Sequence, residues 1–268
     1  MKIVILTGNE IRHQFFRKKV AKCKSINVLA SFCEGTEKSL ENSVISKKNY
    51  SSIELLHVKA RTQSENDFFK IPIEEMKDFS NPKFIPKGDI NEDEIVDEIL
   101  ELKPDLLVCY GSSIIRSKLL NKMRGKFINV HLGLSPYYRG SGTNVWPLIN
   151  NEPEFVGATF MYINEGIDTG KIIHQIRADI MLGDSPHSIG NRLISKMTDE
   201  YIKIIQNFDN LSDELQISTK GKLYLQKHFD EKACLKLYDN FKKGLIEKFL
   251  RKEKNKNQIN IIKNKALI

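Results

Sequence analysis

The stretch that decides the fold runs from Phe127 to Gly170 and reads FINVHLGLSPYYRGSGTNVWPLINNEPEFVGATFMYINEGIDTG. Its first residues, up to His131, are mostly apolar and β-branched, which is typical of a short buried strand. Side chains alternate between the two faces of a strand, so Asn129 and His131 are predicted to share one face. A second apolar run follows, and a glycine-bounded turn then carries Asp168. An amide, an imidazole and a carboxylate are therefore predicted to converge where successive strands end.

These three side-chain types suit the transfer of an acyl group to an amine. Such a transfer passes through a tetrahedral intermediate, which requires a donor for the developing oxyanion and a group that accepts the amine proton. Each residue alone also has a structural interpretation, with Asn129 at a strand edge, His131 satisfied in a core and Asp168 serving a turn. Their ordered spacing favours an active site over three unrelated structural residues.

Strand-like and helix-like runs alternate through the first 210 residues. The runs that define the alternation are a strand at Lys2 to Thr7, a helix at Glu10 to Lys24, a strand at Ile26 to Phe32, a helical bias from Val44 to Phe69, and a buried strand at Asp105 to Tyr110. This alternation predicts an α/β fold with a doubly wound, mostly parallel, Rossmann-like sheet. Ligands are expected at the carboxyl ends of its strands.

Two helix starts are predicted from capping sequences. Asn91-x-x-Glu94 is similar to a capping box, and Asp184-Ser185-Pro186 is expected to cap a helix that runs to about Phe208. Residues 1–210 are expected to form the main domain. Residues 211–268 are expected to form a small α/β extension with a strand at 222–225, a helix at 231–250 and a basic tail. The tail after about residue 252 is expected to bury little apolar surface, although its isoleucines leave room for a short docking strand.

Composition excludes several classes of function. No apolar run approaches the ~18 residues that span a bilayer, so a cytoplasmic protein with no membrane partner is expected. The cysteines lack a Cys-x-x-Cys pair, and the histidines outside the first motif lack metal-ligand spacing, so no metal is predicted; these residues are Cys23, Cys33, Cys109, Cys234, His57, His174, His187 and His228. Much of the net charge of +8 lies near the C-terminus, where a solvated surface is the expected explanation.

Three ordered motifs carry a family resemblance: Asn129-x-His131, Ser135-Pro136-x-x-Arg139-Gly140 and Gly166-x-Asp168-x-Gly170. Together they resemble the signature of the folate-dependent formyltransferases, which move a formyl group from 10-formyltetrahydrofolate to an amine. The resemblance is good over roughly residues 80 to 180 and looser elsewhere. One departure is that the usual Ser-Leu-Leu-Pro loop reads Gly-Leu-Ser-Pro here, at residues 133–136.

The resemblance implies roles for the three converging residues within a catalytic domain, residues 1–210. Asn129 is expected to contact the formyl oxygen, His131 to transfer a proton or contact the oxyanion, and Asp168 to orient His131 and support its charge. Whether the histidine or a water relay takes the amine proton stays open.

The resemblance also implies a binding site for the co-substrate, 10-formyltetrahydrofolate. The residues expected to line it are Tyr110, Gly111, Ser135, Pro136, Arg139, Gly140, Ile163 and Asn164. Arg139 is equally compatible with pairing to a loop carboxylate or to a ligand anion. Arg12 and His13 are expected to face solvent, and Trp146 to pack in the core.

Within the family, the chain is expected to be most like the sugar N-formyltransferases, and this expectation rests on exclusion. It implies an acceptor amine on a nucleotide-linked aminosugar for polysaccharide or O-antigen biosynthesis. The sequence offers no room for the C-terminal barrel of methionyl-tRNA formyltransferases and has a single glycine, Gly8, where glycinamide ribonucleotide formyltransferase has a glycine-rich phosphate loop. The alternatives are a methionyl-tRNA formyltransferase without the barrel and a non-catalytic folate- or nucleotide-binding module. Nucleic acid is not an expected partner, because the basic tail lacks interleaved aromatic residues, and a homodimer is compatible with the sequence.

Overall fold

The structure is a computed structural model that describes residues 1–37, 40–46, 50–216, 221–253 and 259–267. Its main sheet contains β1 (Lys2–Thr7), β2 (Asn27–Glu34), β3 (Pro82–Ile85), β4 (Leu106–Tyr110), β5 (Phe127–His131), β7 (Gly157–Tyr162) and β8 (Ile172–Arg177). A second, two-stranded sheet contains β6 (Tyr138–Gly140) and β9 (Lys222–Tyr224). The helices are α1 (Ile11–Ala21), α2 (Leu40–Ile45), α3 (Ser52–Glu75), α4 (Asp93–Glu101), α5 (Ser117–Lys122), α6 (Trp146–Ile149), α7 (Pro186–Gln206), α8 (Glu231–Lys242) and α9 (Leu245–Glu253).

The main sheet has the strand order β3-β2-β1-β4-β5-β7-β8. The strands from β3 to β5 in this order pair in parallel, whereas β7 is antiparallel to both β5 and β8. The order reverses direction at β1, where the chain crosses from one half of the sheet to the other. This topology confirms the predicted α/β fold with a doubly wound, mostly parallel sheet.

Helices cover both faces of the sheet because the central strands are apolar on both faces. Ile3 and Ile5 of β1 belong to one core cluster together with residues of α1, α3 and α7. Val4 and Leu6 belong to the opposite cluster with residues of α4 and α5. All four side chains are fully buried, which explains why this strand reads as a continuous apolar run.

The two predicted helix starts have different outcomes. The prediction for α7 is confirmed, since Ser185 is its N-cap and accepts a hydrogen bond from Ser188 N at 3.1 Å. The predicted capping box at Asn91 is wrong. The Asn91 amide instead donates to Ile114 O at 3.0 Å and accepts from Arg116 N at 2.7 Å, so it ties down the loop after β4. Helix α4 begins after Glu92, which makes no side-chain cap.

Other differences from the predicted elements have local causes. The helical region predicted from residue 44 to 69 is two helices, α2 and α3. Strand β3 lies at the edge of the sheet, and it was not predicted because it is short and begins with Pro82. The single helix predicted over residues 231–250 is divided into α8 and α9. Gly244 separates them with a φ of +78°, a left-handed conformation that ends a helix.

The segment after α7 packs on the same core as the sheet. Strand β9 pairs with β6, and Tyr224 at its end stacks on Trp146 with ring centroids 4.4 Å apart, so the prediction that Trp146 packs in the core is confirmed. Helix α8 buries Leu237 in the same cluster. The division of the chain at residue 210 stays a prediction.

Residues 259–267 lie along the outer edge of β8. Gln175 N donates to Ile262 O at 2.8 Å, and Ile262 N donates to the Gln175 side chain at 3.0 Å. The fully buried Asn264 donates to Ile173 O at 3.0 Å and to Ser212 O at 2.8 Å. For this segment the contacts replace the expected solvated surface with a docked chain, for which the isoleucines of the tail had left room. Residues 254–258 lie outside the described residues. Among the helices formed by described residues, none combines the length and apolarity that crossing a membrane requires.

Candidate active site

Asn129, His131 and Asp168 meet at one cavity. Strand β5 places Asn129 and His131 on the same face, and both line the cavity. The turn between β7 and β8 brings Asp168 Oδ2 to 3.2 Å from His131 Nδ1. His131 is nearly buried, with 7% of its surface exposed. The convergence predicted from spacing is therefore present in the structure.

The His131 ring is fixed by acceptors. Its Nε2 lies 2.9 Å from Tyr138 O and 3.2 Å from the hydroxyl of Thr143. That hydroxyl donates its own hydrogen to Leu132 O at 2.7 Å, so it acts as an acceptor toward the ring. Nε2 therefore carries a hydrogen in this arrangement, and a second hydrogen on Nδ1 would face the Asp168 carboxylate. Both ring nitrogens of His131 therefore have hydrogen-bond acceptors beside them.

Asp168 occupies a strained backbone position. Its φ is +52°, a left-handed conformation that costs a residue other than glycine on the order of 1 kcal/mol. Its carboxylate accepts a hydrogen bond from Gly140 N at 2.8 Å. Within the same turn, the Asn164 side chain accepts from Gly166 N at 3.1 Å and from the Thr169 hydroxyl at 2.9 Å. The turn is thus internally bonded in the conformation that points Asp168 at His131.

Asn129 differs from its two neighbours because its side chain is unengaged. It is half-buried and faces the cavity. No described residue forms a hydrogen bond with its amide. An amide that both donates and accepts is therefore available to a bound molecule at this point.

The cavity has a volume of about 680 Å³, which lies within the range of small-molecule sites. Of the residues predicted to bind the co-substrate, five line it: Tyr110, Gly111, Gly140, Ile163 and Asn164. Gly111 has a φ of +72°, and a Cβ there would lie 2.3 Å from His13 Nε2, so a side chain at this position would displace the histidine. The loop after β4 can approach a ligand through its backbone.

Ser135, Pro136 and Arg139 do not line the cavity, and their assignment as co-substrate contacts stays a prediction. Ser135 is buried, its N donates to the Thr159 hydroxyl at 2.9 Å, and its carbonyl accepts from Gln175 at 2.7 Å. The peptide bond between Ser135 and Pro136 is cis. Arg139 lies on β6 opposite Leu223 and pairs with no carboxylate of the described chain. Ser135 thus fixes the loop to β7 and β8, and the loop contacts the site through Tyr138 O and Gly140 N.

A polar cluster, defined here as Glu10, Arg12, His13, Arg61 and Glu65, lines another part of the cavity. Arg12 pairs with Glu65 at 2.8 Å and with Glu10 at 3.1 Å, His13 Nδ1 lies 2.6 Å from Glu10, and Arg61 pairs with Glu65 at 2.8 Å. The side chains of Arg12 and His13 are 14% and 4% exposed, so the expectation that they face solvent is wrong.

Charges within the polar cluster compensate one another. Burial acts to raise the pKa of Glu10, but the neighbouring His13 and Arg12 outweigh it and hold that pKa well below its usual range. Burial lowers the pKa of His13, and the adjacent Arg12 lowers it further. The i, i+3 spacing of Glu10 and His13 was the available sequence signal for this pairing. No sequence signal indicated that Glu65, which is distant along the chain, would pair with Arg12.

Three uncharged rings, those of His57, His187 and Phe229, line the cavity as well as the polar cluster. The rings of His57 and His187 lie 4.9 Å apart, and His57 lies 4.9 Å from Phe229. Burial lowers the pKa of His57 to about 3 and that of His187 to about 4, so both are neutral at pH 7. His57 Nδ1 is 2.9 Å from the hydroxyl of Tyr238. Within the described residues, no group of three or more His, Cys, Asp or Glu side chains is placed to hold a metal ion.

Glu34, a residue that sequence motifs did not mark, organises the loop after β4. Its carboxylate is fully buried and accepts hydrogen bonds from Lys87 Nζ at 3.0 Å, from Gly88 N at 2.8 Å and from Ser113 N. Ser113 belongs to the loop that lines the cavity beside Gly111. A buried carboxylate at the end of β2 thereby fixes a loop at the end of β4.

In sequence, the chain is similar to known formyl transferases. A family model described as "Formyl transferase" matches residues 13–205. The chain is 33% identical over 197 residues to a methionyl-tRNA formyltransferase from Finegoldia magna, covering 66% of this chain and 61% of that protein. It is 32% identical over 167 residues to the one from Geobacter sulfurreducens, covering 62% and 49%. The chain thus spans about half to three-fifths of the length of these relatives.

Two solved structures share the fold. A sugar N-formyltransferase from a Shewanella species superimposes with a TM-score of 0.56 at 22% identity, covering 85% of this chain and 78% of that one. A phosphoribosylglycinamide formyltransferase from Anaplasma phagocytophilum also gives a TM-score of 0.56, at 16% identity, covering 84% and 98%. At these identities, the similarity establishes a common fold.

Proposed function

The chain belongs to the formyl transferase family, and from this premise we propose that it transfers the formyl group of 10-formyltetrahydrofolate to the amine of a nucleotide-linked aminosugar. The observation that carries the proposal is the meeting of Asn129, His131 and Asp168 at one cavity. The three residues match the family motif in order and spacing, and their geometry suits acyl transfer.

In the proposed reaction, the acceptor amine attacks the formyl carbon, and the carbonyl electron pair moves to oxygen. The unengaged Asn129 amide donates to this oxyanion, and Asp168 orients the imidazole of His131 beside it. Collapse of the intermediate breaks the bond to N10 of the folate, which takes up a proton. Because His131 Nε2 already faces two acceptors, solvent in the cavity is the better acceptor for the proton of the amine.

The co-substrate is assigned to the side of the cavity formed by the loop after β4 and by the turn between β7 and β8. Tyr110, Gly111, Ile163 and Asn164 are the predicted residues that lie there. Backbone groups beside Gly111 and in the turn offer donors and acceptors to the edge of a pterin. A formyl-folate is the co-substrate that membership of the family supports.

The polar cluster and the rings of His57, His187 and Phe229 favour a nucleotide-linked sugar over glycinamide ribonucleotide as the acceptor. Glu10 follows directly after Gly8-Asn9, and its carboxylate already pairs with His13 and Arg12. A phosphate at this end of α1 would have to displace Glu10. The neutral rings of His57, His187 and Phe229, which are tilted to one another by 52° and 46°, instead offer aromatic surface to the base of a nucleotide-linked sugar.

A second candidate acceptor is methionyl-tRNA, which the 33% identity to the Finegoldia magna enzyme favours. The C-terminal segment argues for a small acceptor, because Tyr224, Leu225 and Phe229 line the cavity and close it on one side. A tRNA acceptor end would have to enter beside this segment.

The test is incubation of the protein with 10-formyltetrahydrofolate and either nucleotide-linked 3-amino and 4-amino sugars or charged initiator tRNA. Release of tetrahydrofolate and formylation of an aminosugar, detected by mass, are expected, with Asn129→Ala as the inactive control. Affinity for tRNA would fall steeply with salt, by about 0.7 to 0.9 log units in K per phosphate contact and log unit of salt, whereas a nucleotide sugar would show a gentler dependence. Formylation of the tRNA with none of any aminosugar would overturn the choice of acceptor.

A further inference from the structure

A residue that no sequence motif marks, Gln216, reaches the turn that carries Asp168. Its side-chain Nε2 donates to Asp168 O at 2.9 Å and to Gly170 O at 2.7 Å. An amide nitrogen has two hydrogens, and these two carbonyls use both of them. Gln216 therefore bonds the turn at two points, two residues apart, from outside the turn.

The segment that presents Gln216 is itself fixed to the sheet. Glu214 N donates to Ile172 O at 2.8 Å, and Ile172 N donates to Glu214 O at 2.8 Å. Asp213 pairs with Lys171 at 2.9 Å. The backbone two residues before Gln216 is thus anchored at the start of β8. The amide is held against the turn by this anchor as well as by its own two hydrogen bonds.

Asp168 is held both by its side-chain carboxylate and by its backbone carbonyl. Its carboxylate accepts a hydrogen bond from Gly140 N at 2.8 Å and lies 3.2 Å from His131 Nδ1. Its backbone carbonyl accepts a hydrogen bond from the Gln216 side chain. The left-handed φ of +52° is the conformation in which both ends find their partners. If the carbonyl were released, the turn would relax toward an ordinary φ and would carry the carboxylate away from His131.

We propose that Gln216 is a positioning residue that holds the Asp168 carboxylate against His131 through the backbone of the turn. Its effect on turnover rests on the proposed formyl transfer. Its effect on the geometry of His131 and Asp168 does not. The two effects are therefore measured separately.

Two substitutions and one control test the proposal through turnover. Gln216→Ala removes both hydrogen bonds, and we expect kcat to fall about tenfold with KM for the amine within about twofold, because an orienting contact is lost rather than a substrate contact. Gln216→Glu places a carboxylate against two carbonyl oxygens. Its activity relative to the parent protein should be lowest at pH 8 and recover toward pH 5.5, where a protonated carboxyl donates one hydrogen bond. The control is Leu215→Ala, since the neighbouring side chain is 75% exposed.

A double-mutant cycle separates action through Asp168 from a general loss of structure. In an Asp168→Asn background, Gln216→Ala should lower kcat no further, because the carboxylate that it positions is already gone. The readout that does not depend on activity is the pair of ¹⁵N signals of the His131 ring at fixed pH, assigned by comparison with His131→Ala. These signals should shift in Gln216→Ala and stay in place in Leu215→Ala.

The outcomes separate the two hypotheses. Parent-like turnover and parent-like His131 signals in both Gln216 variants would overturn the inference, as would fully additive losses in the Asp168→Asn background. If the parent protein formylates no acceptor but its His131 signals still shift in Gln216→Ala, the proposed function fails and the positioning role is upheld.

Discussion

Asn129, His131 and Asp168 contribute to the site in different ways, although the sequence motif treats them as a set. His131 is enclosed by acceptors and Asp168 is held by backbone groups, whereas the Asn129 amide is unengaged within the described chain. Only Asn129 can therefore form a new hydrogen bond with the oxyanion without breaking an existing one. This difference makes Asn129 the residue whose loss affects catalysis with the least effect on structure.

The first prediction concerns these residues. Asn129→Ala, His131→Ala and Asp168→Asn should each lower kcat by about 10² to 10³-fold, because each removes a donor or the charge that supports it. Asparagine is chosen at position 168 since it tolerates the left-handed φ. Asn129→Ala should keep the parent thermal midpoint, and Asn207→Ala serves as a matched amide control whose side chain bonds only Lys203 O. Single-turnover rates within about threefold of the parent in all three variants would remove the catalytic assignment.

The second prediction concerns Glu34. Glu34→Gln places an amide NH₂ among three donors, so the loop that contains Ser113 should lose its fixed position. We expect KM for the folate to rise about tenfold, while KM for the amine changes little, since the loop lies on the proposed folate side. The control is Glu98→Gln, which breaks an exposed pair with Lys83. Equal changes in both KM values would show that Glu34 has no specific connection to the folate.

At the scale of elements, the strands with continuous apolar runs were predictable because burial on both faces leaves a pattern that needs no partner to be recognised. The same holds for α7, whose cap is local. The edge strand β3 was missed, since its stability comes from pairing with β2 rather than from its own composition. Gln216 and Glu65 were missed for a related reason. Their partners are distant along the chain, and one sequence carries no record of that proximity.

The third prediction concerns the docked segment at residues 259–267. Removal of residues 254–268 leaves Gln175 N, Ile173 O and His174 Nδ1 without their partners, at about 1 kcal/mol for each hydrogen bond. A loss of ~2 to 3 kcal/mol should lower the thermal midpoint by roughly 4 to 12 °C. Asn264→Ala in the full chain should reproduce part of the loss. An unchanged midpoint in calorimetry would show that the segment adds nothing to stability.

At the scale of the whole molecule, stability should depend on histidines that are buried in the neutral form. Burial lowers the pKa of His57 to about 3, and that of His174 and His187 to about 4, from an ordinary value of 6.5. The unfolded chain therefore binds more protons than the folded chain between about pH 6.5 and pH 4. The stability that these groups contribute is fully present above pH 6.5 and is lost as the pH falls toward their folded pKa values.

The fourth prediction follows from this imbalance. The free energy of unfolding should decrease between pH 6.5 and pH 4, with each such histidine adding a slope of up to about 1.4 kcal/mol per pH unit. His57→Phe retains a ring beside His187 and Phe229. It should reduce the dependence of the free energy of unfolding on pH by the contribution of one histidine, up to about 1.4 kcal/mol per pH unit. Urea unfolding at several pH values measures it. An identical slope in the parent and the variant would place the acid sensitivity elsewhere.

The docking of residues 259–264 on β8 also bears on how the molecule is made. A ribosome completes the seven strands of the main sheet long before it releases Ile262 and Asn264, the residues that cover the outer edge of β8. During that interval the nascent polypeptide presents an open, largely apolar strand, which is the kind of edge that recruits other chains. Residues synthesised after the whole sheet thus cover this edge, and slow synthesis between β8 and Asn264 would lengthen the time for which it is open to other chains.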